Sequence, residues 1–104
     1  MTITLTEIYN ECLKLDMVDN QTEFSECLGR KSSWYSSTVS HGRDLNMDAL
    51  HRITWFLHDT ITATLVDLEA EQDAEQRRAY ERGIDALESL MGRVQDEVDR
   101  IMEQ

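Results

Sequence analysis

The sequence predicts an all-α fold, and three observations lead to that class. The 104 residues include no proline and only four glycines, so few positions interrupt a helix. Hydrophobic residues make up 40% of the chain, and most of them recur at spacings of three and four, as in amphipathic helices. A chain of this length forms about one domain with a modest core, which favours function on a surface over an enclosed active site.

Acidic residues dominate the chain, but they are unevenly distributed. The net charge is −11. Residues 1–29 hold six acids and one lysine, for −5; residues 30–58 hold four basic and two acidic side chains, for +2; residues 59–104 hold thirteen acids and five arginines, for −8. Proteins that bind phosphate usually carry a basic excess. The middle segment is therefore the one in which a nucleic-acid contact is expected.

The compartment expected from the sequence is the cytoplasm. No apolar run approaches the roughly 20 residues that span a bilayer, and the start MTITLTEIYNE lacks the basic and apolar regions of a signal peptide. The two cysteines, Cys12 and Cys27, are too few and too dispersed for a disulfide framework or a metal site. We expect both to be reduced core residues.

A first helix is predicted from Thr4 or Thr6 to about Asp19. Its apolar stripe recurs at spacings of three and four and comprises Leu5, Ile8, Cys12 and Leu15, widened by Tyr9 and Leu13. This helix is expected to serve packing rather than binding.

Two short helices and a turn follow. The first opens at Asn20 with Glu23 three residues later, presents Phe24 and Leu28 on one face, and ends at Gly29. The second begins after a serine cap at position 32 or 33 and runs to about residue 41, where Gly42 stops it. Its expected core anchors are the residues Tyr35 and Val39, with Thr38 beside them.

A supporting helix is predicted from Met47 to His58, capped by Asn46. Its apolar face comprises Leu50, Ile53, Phe56 and Leu57. Trp55 lies off this stripe, and it can either pack against the first helix or cover part of a subunit contact.

The C-terminal part, residues 59–104, is predicted to be an acidic helical arm, separate from a domain at residues 1–58. Ile61, Leu65 and Leu68 continue the preceding stripe, and residues 67–78 form either a solvated helix or a flexible joint. A heptad seam then alternates spacings of four and three. It comprises Tyr80, Ile84, Leu87, Met91, Val94, Val98 and Ile101. We expect one or two long helices that dimerise through this seam.

Residues 5–58 resemble the lambda-repressor and Cro class of helix-turn-helix domains, also called XRE-type. The resemblance rests on the short helix QTEFSECLG, the serine-started helix SSWYSSTVSHG and the supporting helix NMDALHRITWFL. It implies a bundle of about four helices whose third helix enters the DNA major groove. The implied phosphate contacts are Gln21, Arg30, Lys31 and Arg43, and the implied reading surface is Ser32, Ser33, Trp34, Ser36, Ser37 and Ser40. Serines at these positions discriminate bases weakly.

The function expected from these patterns is that of a small, dimeric helix-turn-helix transcriptional regulator that binds double-stranded DNA. The alternative is an acidic helical adaptor or antitoxin-like protein that binds a basic protein partner and uses the helix-turn-helix as a scaffold. No cofactor, metal or enzyme activity is expected. The histidines at 51 and 58 are about 10 Å apart along a helix, and no base accompanies the serines at a recognisable spacing.

Overall fold

The computed structural model describes residues 3–42 and 45–103, and it places five helices there. They are α1 (Leu5–Lys14), α2 (Gln21–Cys27), α3 (Trp34–Ser40), α4 (Met47–Ala70) and α5 (Ala74–Met102). Every regular element in these described ranges is a helix, so the predicted all-α class is confirmed, with two long helices at the C-terminal end. None of the described helices is long and apolar enough to cross a membrane.

Local side-chain caps define where the helices begin. Thr4 and Glu7 form a reciprocal capping box at the start of α1. Asn20 and Asn46 each accept a hydrogen bond at 2.8 Å from the backbone N–H three residues later, at the starts of α2 and α4. Each of these contacts satisfies an N–H that has no partner within its helix. The predicted helix starts at Asn20 and Asn46 are therefore confirmed.

The helix α4 continues well beyond its predicted end at His58. The boundary that we predicted between residues 58 and 59 instead lies inside α4, which runs without a break to Ala70. The Thr60 hydroxyl donates to the Phe56 carbonyl at 2.9 Å, so this polar side chain is satisfied without leaving the helix. Asp59 and Thr60 therefore lie within one continuous helix.

The chain reverses direction at residues 71–73 instead. The Asp73 carboxylate accepts a hydrogen bond from the Gln76 N–H at 3.2 Å and caps α5. The Arg77 guanidinium donates to the carbonyl of Leu68, in the last turn of α4, at 2.7 Å and to the carbonyl of the C-cap residue Glu71 at 2.9 Å. The segment 67–78 is thus neither one solvated helix nor a loose joint. It is a capped turn that folds α5 back along α4.

The predicted heptad seam lies against the chain's own core. Ile84, Leu87, Val94 and Val98 are all less than 8% exposed. Leu87, Val94 and Val98 belong to the same buried cluster as residues of α1, α2 and α4, while Met91 and Ile101 pack at its edge. Tyr80, at the start of the seam, is partly exposed.

The central residues of the seam that we assigned to a dimer interface therefore have partners within the chain. A heptad pattern specifies an apolar partner surface but not which molecule supplies it. The short turn at residues 71–73 holds α5 beside α4, so the intramolecular surface is favoured by its effective concentration. An ion pair between Arg93 and Glu7, at 2.8 Å, also joins α5 to α1.

Candidate nucleic-acid interface

Three aromatic rings attach α3 to the two helices before it. The ring centroids of Tyr9 and Phe24 are 5.3 Å apart, those of Tyr9 and Tyr35 are 4.6 Å apart, and those of Phe24 and Tyr35 are 5.7 Å apart in an edge-on arrangement. All three side chains are buried. Tilted and edge-on contacts at these distances are favourable for aromatic pairs. These ring contacts determine which side of α3 is buried, and the opposite side therefore faces solvent.

One of the two predicted core anchors of α3 is wrong. Tyr35 is 4% exposed, whereas Val39 is 43% exposed. Tyr35 and the partly buried Thr38, three residues later, form the buried side of α3. Val39 follows Thr38 and is turned away from that side. A helix of seven residues is too short for the spacing of apolar residues alone to determine which side is buried.

A buried serine sets the position of α3 relative to α2. The Ser25 side chain is fully buried; its hydroxyl donates to the Gln21 carbonyl at 3.0 Å and accepts from the Tyr35 N–H at 3.0 Å. This bond takes the role that we assigned to a serine cap at position 32 or 33, since Ser33 makes no side-chain capping bond. Sequence reasoning missed Ser25. Ser25 follows Phe24 and precedes Leu28 by three residues, so its position on the apolar side of α2 could have indicated that it is buried.

The turn between α2 and α3 is tied to the start of α4. Arg30 forms an ion pair with Asp48, and its guanidinium carbon lies 5.8 Å from the centre of the Trp34 ring. Arg52 donates to the same carboxylate at 3.0 Å and to the Leu28 carbonyl at 3.0 Å. Arg30 therefore positions the turn and partly covers Trp34, which is half-buried rather than solvent-facing. Arg52, which sequence reasoning did not select, completes this network.

The solvent-facing side of the turn and α3 carries mainly hydroxyl groups. Ser32, Ser33, Ser36, Ser37 and Ser40 are all exposed, as predicted for the reading surface. The Ser36 hydroxyl donates to the Ser33 carbonyl at 3.2 Å, and the Ser40 hydroxyl donates to the Ser37 carbonyl at 3.4 Å. Their protons are thus used within the helix, and their oxygen lone pairs remain to accept hydrogen bonds from outside.

The segment of the chain that forms the turn and α3 contains no carboxylate of its own. Residues 27–43 contain no aspartate or glutamate, in a protein with 21 acidic residues. Lys31 is exposed and makes no ion pair with any residue in the described ranges. Gln21 is exposed at the first position of α2, and Arg43 lies outside the described residues. Lys31 and the α3 serines are therefore all exposed, and they lie in one segment of the chain that contains no carboxylate.

The two cysteine thiols differ in burial, and both have a raised pKa. Burial, with a smaller contribution from the Glu11 carboxylate, raises the pKa of the Cys12 thiol to about 12. Cys27 is exposed rather than in the core as predicted, and partial burial of its thiol together with two neighbouring carboxylates raises its pKa as well. Both thiols therefore remain protonated at neutral pH. Within residues 3–42 and 45–103, no three potential ligands converge on a metal position.

Trp55 is the most exposed large aromatic side chain in the described structure. It is 68% exposed and lies on the solvent side of α4, with its ring 6.2 Å from that of His58 in an edge-on arrangement. Of the two predicted positions for Trp55, packing against the first helix is not what the structure shows.

Comparison with known proteins leads to a family but not to a function. A model of a family of unknown function, DUF6626, matches residues 5–101. No curated protein and no solved structure matches the chain.

Proposed function

We propose that this chain, which belongs to the DUF6626 family, is a helix-turn-helix DNA-binding protein that acts in transcriptional regulation. The observation that carries the proposal is the segment 27–43, which forms the turn and α3 and contains no carboxylate in a protein with a net charge of −11. The nearby Asp48 carboxylate is paired with Arg30 and Arg52. Because phosphate repels carboxylates, this segment is the part of the molecule that we expect DNA to approach. The two free cysteines suit a reducing compartment, and we place the protein in the cytoplasm.

The dimensions and the attachment of α3 support this proposal. An α-helix with its side chains is about 10–12 Å in diameter, and the major groove is about 12 Å wide. The aromatic rings and the Ser25 bond hold α3 with the serine side outward, as a helix in the groove requires. Lys31 in the turn and Gln21 at the start of α2 are both exposed, and we expect them to contact phosphates.

The surface chemistry also predicts how such binding behaves. Serine oxygens accept from the amino groups of cytosine or adenine but make no bidentate contact, so discrimination among sequences is expected to be small. Affinity then depends mainly on phosphate contacts and falls steeply with salt. The acidic surface of α5 repels DNA and restricts the orientation in which the protein approaches it.

A salt-dependent binding titration with matched variants tests the proposal. Lys31→Glu and Lys14→Glu change the only two lysines, and both residues are exposed. Lys31→Glu should weaken binding to labelled duplexes by about tenfold or more and lower the salt slope by about 1 per lost phosphate contact. Lys14→Glu, at the end of α1, should have little effect. Equal losses for the two variants, or no binding by the wild type at low salt, would refute the proposal.

A second matched pair asks whether α3 itself meets DNA. Ser37→Glu places a carboxylate in the middle of the serine side, and Ser89→Glu makes the same change at an exposed serine of α5. Binding should be lost for Ser37→Glu and retained for Ser89→Glu, with unchanged far-ultraviolet circular dichroism for both. Retained binding by Ser37→Glu would place the contact elsewhere on the molecule.

A second candidate function is binding of a basic protein partner through α5. The observation that favours it is a set of exposed acidic residues on this helix that form no ion pair with any described residue. The set includes Glu81, Asp85, Glu88 and Asp96. Glu81→Lys with Glu88→Lys should then abolish binding to an isolated basic polypeptide such as polylysine. The same double variant should retain or strengthen DNA binding, and this contrast distinguishes the two candidates.

A further inference from the structure

A second heptad seam runs along the side of α4 that faces away from α5. Its residues alternate spacings of three and four, and all of them are accessible to solvent. They are Arg52, Trp55, Asp59, Thr62, Val66 and Glu69. Trp55 is 68% exposed and Val66 is 62% exposed, and Leu65 beside them is 48% exposed. Large apolar side chains exposed on the same side of one helix are consistent with a surface that a partner covers.

This seam is complementary to itself when a second copy lies antiparallel. The midpoint of the seam falls between Thr60 and Ile61, and residues at equal distances from that midpoint face each other across a two-fold axis. Arg52 then faces Glu69 of the second copy, and Trp55 faces Val66 of the second copy. The first of these pairs combines unlike charges, and the second combines two apolar side chains. We propose that α4 pairs with α4 of a second copy of this chain in this antiparallel register.

The charged ends of the seam have free hydrogen-bonding capacity for such a partner. Arg52 uses Nε for Asp48 and one terminal nitrogen for the Leu28 carbonyl, and its Nη2 makes no hydrogen bond with any residue in the described ranges. Glu69 is exposed and likewise makes no ion pair there. The antiparallel orientation brings the positive end of one helix dipole beside the negative end of the other. Electrostatics therefore favour this register over a parallel one.

The centre of the seam has a donor without a partner. The hydroxyls of Thr54, Thr60 and Thr64 donate to carbonyls of their own helix, at 2.7 to 2.9 Å. Thr62 is the remaining threonine of α4, and its hydroxyl forms no hydrogen bond with a described residue. In the proposed register it faces Asp59 of the second copy, whose carboxylate can accept its proton. This pair would satisfy both polar groups at the middle of the interface.

A shallow hollow beside Trp55 provides space for an aliphatic side chain. Its walls include Cys27, Arg52, Phe56 and Asp59. Phe56 lies opposite position 65 of the second copy in the proposed register, so the exposed side chain Leu65 is the one expected to enter the hollow. The other side of α4 is covered by α5. The exposed side is therefore the part of α4 that remains available to a second chain.

Solution mass without DNA tests the pairing independently of the proposed DNA contact. Light scattering over a wide concentration series should give twice the mass of the chain for the wild type. Val66→Glu should raise the dimer dissociation constant by about tenfold or more, because it buries a carboxylate without a partner. Met102→Glu, at a 73% exposed position on α5, is the matched control and should leave the mass unchanged. A monomeric wild type, or a dimer that tolerates Val66→Glu, would overturn the pairing.

An exchange of charges tests the register. Glu69→Arg should weaken the dimer by placing two arginines opposite each other, and adding Arg52→Glu should restore it by re-forming the pair in reverse. Circular dichroism on the double variant checks that loss of the Arg52 bond to Leu28 has not unfolded the chain. If the double variant is folded but no more dimeric than Glu69→Arg, the antiparallel register is wrong. DNA binding by a monomeric protein would leave the proposed function standing and remove only this inference.

Discussion

Replacing Leu87 with alanine tests whether α5 is part of the monomer core. Leu87 is 3% exposed and belongs to the buried cluster shared with α1, α2 and α4. Truncating a fully buried leucine removes its transfer free energy and leaves a cavity, at a cost of about 2–5 kcal/mol. For a domain of this size that loss lowers the melting temperature by about 10 °C or more. Leu65→Ala removes the same atoms from a 48% exposed position, so it should cost less than about 1 kcal/mol.

The measurement is urea unfolding followed by circular dichroism at two protein concentrations. Carrying it out in a Val66→Glu background removes the proposed α4 pairing, so any dependence on concentration reports on α5 alone. The loss for Leu87→Ala should be the same at both concentrations, because the contact lies within one chain. A loss no larger than that of Leu65→Ala, or one that grows on dilution, would show that α5 is not packed on its own chain in solution.

Three further changes probe the buried polar groups and the thiols. Ser25→Ala leaves the Tyr35 N–H without its partner and should cost about 1–3 kcal/mol in thermal unfolding; a neutral result would mean that this bond does not hold α3. Hydrogen bonding from its arginine neighbour three residues later lowers the pKa of the Glu97 carboxyl below 4.5, so its stabilisation is present above that pH and lost as the pH falls. Glu97→Gln should accordingly flatten the acid side of the stability curve, and an unchanged curve would argue against this pair. With a thiol reagent, Cys27 should react in the folded protein while Cys12 should react only on unfolding, and two equally fast thiols would contradict the burial of Cys12.

The features that could be read from the sequence are those that depend on a few neighbouring residues. An asparagine before a helix satisfies a backbone N–H within its own first turn, so Asn20 and Asn46 act as caps wherever these segments lie in the fold. Gly29 and Gly42, which end α2 and α3, both have positive φ values, of 72° and 61°, and glycine adopts this conformation without steric cost. Such signals require no knowledge of the rest of the chain.

The candidate site was only partly predictable for the same reason. Exposure of the α3 serines follows from their polarity, and the structure confirms that exposure. The bonds from Ser25 to Tyr35 and from Arg30 to Asp48 join residues 10 and 18 positions apart, which no local pattern specifies. Val39 was misplaced because its exposure depends on how the short α3 sits against α2.

By itself, the sequence determined the helical class, the helix starts at Asn20 and Asn46 and the uneven distribution of charge, since these depend on residue type and spacing alone. Only the tertiary structure decided what the apolar seam of α5 packs against and which side of α4 stays uncovered. Burying an apolar stripe is favourable against any complementary surface, so the pattern of apolar residues does not specify which surface covers it. The short turn at residues 71–73 determines the partner of α5, because it directs this helix back onto its own chain. Trp55 and Val66 on α4 remain exposed to solvent.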